Sequence, residues 1–177
     1  MGTHKMFFAG TGGMGILLMG QIVGAAAMLE NKEATFFPSY GPEMRGGTAN
    51  CTVIVSDKPI SSPLIFESDS VVAMTLPSMR KFEPTLKPDG LLMINTSLVR
   101  HPPGRSDINL IEVPVSELAT STLGSAKVAN IIMLGAFIRA TNVVSSESVE
   151  QVLRTIFSGQ KSSLLDLELE AFRYWTN

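Results

Sequence analysis

The sequence predicts an α/β fold: a single domain over residues 1–177, with a mostly parallel sheet and helices on both of its faces. Three observations carry that expectation. The short runs that read as strands are apolar instead of alternating, as strands covered on both sides are. Helical stretches lie between strands, the order that builds a parallel sheet. The chain, 177 residues of which 45% are hydrophobic and 17% charged, suits one compact core, and no linker, internal repeat or low-complexity tract divides it.

The elements follow in order. Residues 5–9 form a short, mostly apolar run that ends at a glycine and reads as a buried strand. The turn "GTGGMG" leads into a helix over 14–29, apolar on nearly every face, so more than a sheet has to cover it. Residues 34–37 read as a second strand stopped by Pro38, and 50–55 as a third with "SDKP" as its turn. Further strands are expected at 70–74, 91–95 and 109–113, with "KPDG" as a turn before the second of these. A helix over 77–86 opens on Pro77, and another begins at 115–119 with Glu117 in its first turn. Residues 127–140 are strongly apolar and helical, and the run Ser145-Ser146-Glu147-Ser148 caps an amphipathic helix over 149–157. "LLDLELEAF" alternates like a strand, yet Leu165, Leu169 and Phe172 fall on one helical face, and helix is preferred.

Composition excludes several functions. A formal net charge of −2 without a Lys/Arg cluster gives no field for nucleic acid. The N-terminus lacks a charged-then-apolar signal pattern and no apolar run is long enough to span a bilayer, so the expected compartment is the cytoplasm, with no membrane partner. Cys51 is the only cysteine, which excludes an internal disulfide or a cysteine-ligated cluster built by one copy of the chain. His4 and His101 are far apart in sequence and sit in no nucleophile motif. The 10 methionines fit either an ordinary core or a surface that a partner covers.

Gly10, Gly12 and Gly15 satisfy G-x-G-x-x-G, with Thr11 and the extra Gly13 between them, after a strand and before a helix. Such a turn lets backbone N–H groups approach an anion at a helix start, so phosphate or pyrophosphate binding is one reading. Tight turning and close helix–sheet packing is the other. Dinucleotide sites also need an acid at the end of the second strand for the ribose, and 34–42 contains neither acid nor base. NAD and NADP therefore fall behind.

"GTGGMG", "PSYGPEMRGGTANC", "VSDKPISSP" and "AKVANIIMLGA" together resemble the gamma subunit of 2-oxoacid:ferredoxin (or acceptor) oxidoreductases, over nearly the whole chain. The string "SYGPEMRGG" is most similar to the 2-oxoglutarate type, beside the pyruvate and ketoisovalerate types. The resemblance implies a Rossmann-like α/β layer in an enzyme that oxidatively decarboxylates a 2-oxoacid with coenzyme A. The products are an acyl-CoA, CO2 and reduced ferredoxin or another acceptor. It implies that thiamine diphosphate and iron–sulfur clusters sit in alpha, beta and delta partner subunits and that this chain binds none of them alone. Coenzyme A is the co-substrate that the gamma part helps to accommodate. A homodimer is the form open to the isolated chain.

The candidate site then has two parts and a support. The glycine turn (Gly10, Thr11, Gly12, Gly13, Gly15) would face a ligand or partner. The loop Ser39, Tyr40, Gly41, Pro42, Glu43, Met44, Arg45, Gly46 and Gly47 would dock at the shared active site. Arg45 suits a phosphate or carboxylate by its planar fork, or else pairs with Glu43 or a partner chain. Tyr40 either stacks at the interface or packs on its own sheet. Asn130, midway in an apolar helix, needs a polar partner, and a hydrogen bond to a neighbouring loop is preferred over ligand contact. Cys51 reads as a small core residue, and Asp166, Glu168 and Glu170 as a solvated face. No catalytic residue and no metal ligand is expected. A free-standing NAD(P)-binding oxidoreductase and a purely structural assembly subunit stay open as alternatives.

Overall fold

A computed structural model describes residues 2–40, 47–159 and 162–175. Six strands form one sheet: β1 (His4–Thr11), β2 (Glu33–Tyr40), β3 (Thr48–Ser56), β4 (Ser68–Ala73), β5 (Leu86–Asn95) and β6 (Asn109–Val113), in the spatial order β2-β3-β1-β4-β5-β6. The helices are α1 (Ile16–Leu29), α2 (Leu76–Phe82), α3 (Val115–Ser121), α4 (Ala129–Thr141), α5 (Ser146–Ile156) and α6 (Ser162–Arg173). β1, β4, β5 and β6 pair in parallel, while β3 runs antiparallel to both β1 and β2. The sheet is thus mostly parallel, with one strand reversed. Only residues 41–47 connect β2 to β3, and a connection that short reaches only an antiparallel neighbour. β3 then slots between β2 and β1, with Phe8 opposite Cys51 and Phe36 opposite Val53.

Alternation along β1 sorts its side chains between two cores. Met6 and Phe8 join α1, α3, α4, α5 and α6 on one face, while Phe7 and Ala9 meet α2 on the other. Phe8 stacks edge-on against Phe137 of α4 at 5.2 Å, and Phe7 lies 4.8 Å from Phe82 of α2. The apolar girth of α1 is explained by this crowding: it packs on β1, β2 and β3 and is overlaid by α4 and α5. Its C-terminal end is tied down by charge. Glu30 accepts hydrogen bonds from Lys32 Nζ at 2.7 Å and from the Ser145 N–H at 2.6 Å, and Lys32 also donates to the Val143 carbonyl at 2.9 Å. Burial opposes ionisation of Glu30, yet these donors hold its carboxyl at about 2.

Local details depart from the sequence pattern where a neighbour intervenes. The helix expected over 77–86 ends at Phe82, followed by a 3-10 turn over Glu83–Thr85, because Pro84 has no N–H to donate to the Arg80 carbonyl one turn back. "KPDG" is no turn between elements but an irregularity inside β5. Its register against β4 shifts between Ser68 and Ser70, Asp89 takes a φ of 60°, and its N–H donates to the Asp107 carbonyl at 2.8 Å. Ser145 caps α5 as its sequence suggests, its hydroxyl accepting the Ser148 N–H at 3.1 Å.

One expectation fails outright. Glu168 is not part of a solvated face: it is only 8% exposed, and its Oε2 has no hydrogen-bond partner. Burial pushes its carboxyl up to about 7. Helical spacing explains this, since residue 168 lies three positions after Leu165 and four before Phe172, on the stripe that α6 turns toward α4. Among the described residues no helix is long and apolar enough to cross a membrane.

Candidate functional site

β1 ends at Thr11 on the carboxyl edge of the sheet, where open α/β sheets bind ligands. The glycine turn follows directly. The Thr11 N–H points to Met14 Sδ at 3.4 Å, the Met14 N–H returns to the Thr11 carbonyl at 3.2 Å, and Gly13 and Gly15 adopt φ of 92° and 71°. Gly10 lies close under its neighbours: a Cβ there would sit 2.6 Å from Ile16 Cδ1 and 3.1 Å from Met74 Cβ, so the Ile16 side chain would have to move. α1 then starts at Gly15 with no capping side chain and no acid in its first turn. Its positive end therefore meets no anionic side chain of its own first turn.

The second loop arrives at the same place. Ser39 pairs with Asn50 and Tyr40 with Ala49 at the end of the β2–β3 ladder, and Thr48 sits opposite Thr11. Gly41, Pro42, Glu43, Met44, Arg45 and Gly46 lie outside the described residues. Gly47, where the chain returns, accepts the Gly12 N–H at 2.9 Å. The glycine turn and the root of the loop are thus hydrogen-bonded to each other, although 34 intervening residues separate them in sequence (13–46).

Asn130 is 4% exposed and sits in the first turn of α4, from which its Nδ2–H donates to the Gly15 carbonyl at 3.3 Å. Its described contact is with the glycine loop. A cavity of about 400 Å3 opens beside these groups, lined by Thr11, Gly12, Gly13 and Gly15 on one side and by Leu17, Leu18 and Ala49 on the other. The sequence reading missed the apolar wall. Its signal was available, because Leu17 and Leu18 occupy the first turn after a glycine start and can be reached by whatever the turn holds.

Chemically the site can bind and orient. Among the described residues no group of three or more His, Cys, Asp or Glu is placed to hold a metal ion. Cys51 lies under α1, its thiol within 3.7 Å of the Ile16 carbonyl, and burial pushes it up to about 12, far from the thiolate that ligation needs. A larger groove, about 590 Å3, runs between α5 and α6, but its Arg173 is already engaged with Glu150 at 2.5 Å and its Arg154 lies 3.7 Å from the same carboxylate.

The sequence pattern of the pyruvate ferredoxin/flavodoxin oxidoreductase family matches residues 5–174. The chain is 38% identical over 149 residues to the 2-oxoglutarate synthase subunit KorC of Methanocaldococcus jannaschii, covering 82% of this chain and 79% of that protein. It is 32% identical over 167 residues to the ketoisovalerate oxidoreductase subunit VorA of Methanothermobacter marburgensis, covering 94% of this chain but only 34% of that longer protein. Its fold superposes on the crystal structure of a keto/oxoacid ferredoxin oxidoreductase gamma subunit from Geobacter sulfurreducens with a TM-score of 0.87 at 31% identity, over 99% of this chain and 95% of that one. The chain thus belongs to the pyruvate ferredoxin/flavodoxin oxidoreductase family, as a domain of the kind that forms gamma subunits of 2-oxoacid:ferredoxin oxidoreductases.

Proposed function

We propose that this gamma subunit is non-catalytic alone and works on 2-oxoglutarate within an assembly of alpha, beta and delta subunits. There it packs on the thiamine-diphosphate-binding subunits, helps close their active site and accommodates coenzyme A. The observation that carries this reading is the bond between Gly12 and Gly47, which ties the glycine turn and the cavity beside it to the root of the second loop at the carboxyl edge of the sheet. The substrate assignment draws on the string "SYGPEMRGG" and on the 38% identity to a 2-oxoglutarate synthase subunit.

Within this reading the residues divide the work. The open start of α1 and the backbone of Gly13 and Gly15 suit the phosphates of coenzyme A, while Leu17, Leu18 and Ala49 suit its apolar arm. Thiamine diphosphate and the clusters supply decarboxylation and electron transfer from the partner subunits. No step of that chemistry is assigned to this chain, whose buried Cys51 does not suit cluster ligation.

The test is reconstitution with partner subunits co-purified from the host. Turnover of 2-oxoglutarate should require the partners and coenzyme A together. Arg45→Ala should lower coenzyme-A-dependent turnover by at least about ten-fold, because removing one member of a desolvated charge contact commonly costs 2 kcal/mol or more. Melting of the lone chain should change by less than about 0.5 kcal/mol equivalent, as a surface substitution does. Turnover by the lone chain, or full activity of the assembled Arg45→Ala enzyme, would overturn the proposal.

A further inference from the structure

We infer that Asn130 is the positioning residue of the paired loops: its amide fixes the glycine turn against α4, and the Gly12–Gly47 bond passes that placement to the root of the 41–46 connection. The coenzyme A part of the argument rests on the function proposed above; the positioning itself does not.

Four observations converge on Asn130. It is the polar member of a buried run, followed by Ile131, Ile132, Met133 and Leu134, all fully buried. A primary amide in such surroundings is unfavourable unless paired, and here its donor reaches across 115 positions to Gly15. Second, the Gly15 carbonyl already accepts the Met19 N–H at 3.2 Å as part of α1. An apolar residue at 130 would therefore leave no orphaned acceptor, and what the amide adds is placement. Third, the two residues are matched in shape, since a Cβ on Gly15 would lie 2.2 Å from Nδ2. Fourth, Gly15 holds a left-handed φ of 71° at the helix start, a conformation with many alternatives for glycine unless something selects one.

The path of the constraint is continuous. α4 is buried from Ala129 to Ile138 and cannot shift without disturbing the core. From its first turn the constraint runs through Asn130 to Gly15, along the turn to Gly12, and across to Gly47. The first residue after the 41–46 connection is thereby located by a side chain more than 80 positions away in sequence, at 130 against 47.

Hydrogen exchange on the full chain tests the positioning. Asn130→Ala should speed exchange at amides 12–19 and 47–50 by about ten-fold or more, leaving the amides of β4 and β5 unchanged. Asn130→Ser, whose hydroxyl is too short to span the gap, should do the same and serves if the alanine variant folds poorly. Unchanged exchange at the turn in a folded variant overturns the inference, as does a uniform loss of protection throughout the chain. In the reconstituted enzyme, Asn130→Ala should raise the coenzyme A KM about ten-fold while kcat and the 2-oxoacid KM hold, the split expected when a binding wall is misplaced and the chemistry is not. Faster exchange with an unchanged coenzyme A KM upholds the role of Asn130 and overturns the coenzyme A reading instead.

Discussion

α4 meets its neighbours at two junctions built in opposite ways. At its N-terminal turn, Asn130 reaches the glycine turn through a hydrogen bond from its amide to the Gly15 carbonyl. At its middle, Gly135 lets α6 approach so closely that a Cβ would lie 2.2 Å from the Phe172 carbonyl oxygen. Beside that contact the carboxyl of Glu168 is buried with Oε2 unpaired. The first junction is directional and places a loop; the second is tight and places a helix, carrying an unfavourable group along. Directional contacts suit a site that has to meet a ligand or partner in one geometry, whereas backbone proximity holds mass together whatever lies outside.

The comparison breaks most readily at the tight junction. Gly135→Ala should cost about 3 kcal/mol, because the clash is with backbone that cannot rotate away. A thermal melt should fall by roughly 10 °C, with protection lost first in α6. A drop of only a degree or two would mean that α6 shifts without penalty.

The directional junction should give a smaller and conditional effect. Gly15→Ala places a side chain at φ 71° and displaces the Asn130 amide, so a loss of about 2 kcal/mol is expected. In an Asn130→Ala background the displacement has nothing to act on, and about half of that loss should disappear. A double-mutant cycle on denaturant midpoints measures the coupling, and strict additivity would separate the two residues.

Glu168 gives the effect that depends most on conditions. Its folded carboxyl sits near 7 against an ordinary 4.5, so between these pH values the folded chain holds a proton that the unfolded chain has released. Stability from this group is therefore full below about pH 4.5, falls as pH rises toward 7 and is level above it. Glu168→Gln should flatten that slope, gaining up to about 3 kcal/mol over the natural chain at pH 8 relative to pH 4.5 in urea titrations. Equal slopes would place the carboxyl in water.

The sheet and most helices were legible because their signals are local: apolar runs, a glycine turn between strand and helix, Ser145 before α5. The reversal of β3 was hidden by the loop itself, since the length and composition of 39–51 suggested a site and gave no direction for the strand after it. Asp166, Glu168 and Glu170 read as one solvated face by their charge, although in a helix residues two apart do not share a face. The helical spacing that assigned Leu165, Leu169 and Phe172 to one face already placed residue 168 with them. Of the site, the two glycine-rich motifs were visible, but their joining was not. The Gly12–Gly47 bond is between backbone groups, and no side chain records it.

The insertion of β3 between β2 and β1 also sets an order of assembly. The chain's first strand is flanked by β3 and β4, both made after it, so β1 waits while the β2–β3 hairpin closes on its own short connection. Loop closure favours the local pair, and on a growing chain the hairpin can form before β4 exists. Until then the apolar β1 and α1 stay without their sheet partners and open to self-association. In pulse-labelled exchange during refolding, amides of the β2–β3 ladder should gain protection ahead of those joining β1 to β4. The segment carrying the glycine turn is thus made before its partner strands and among the last fixed in place.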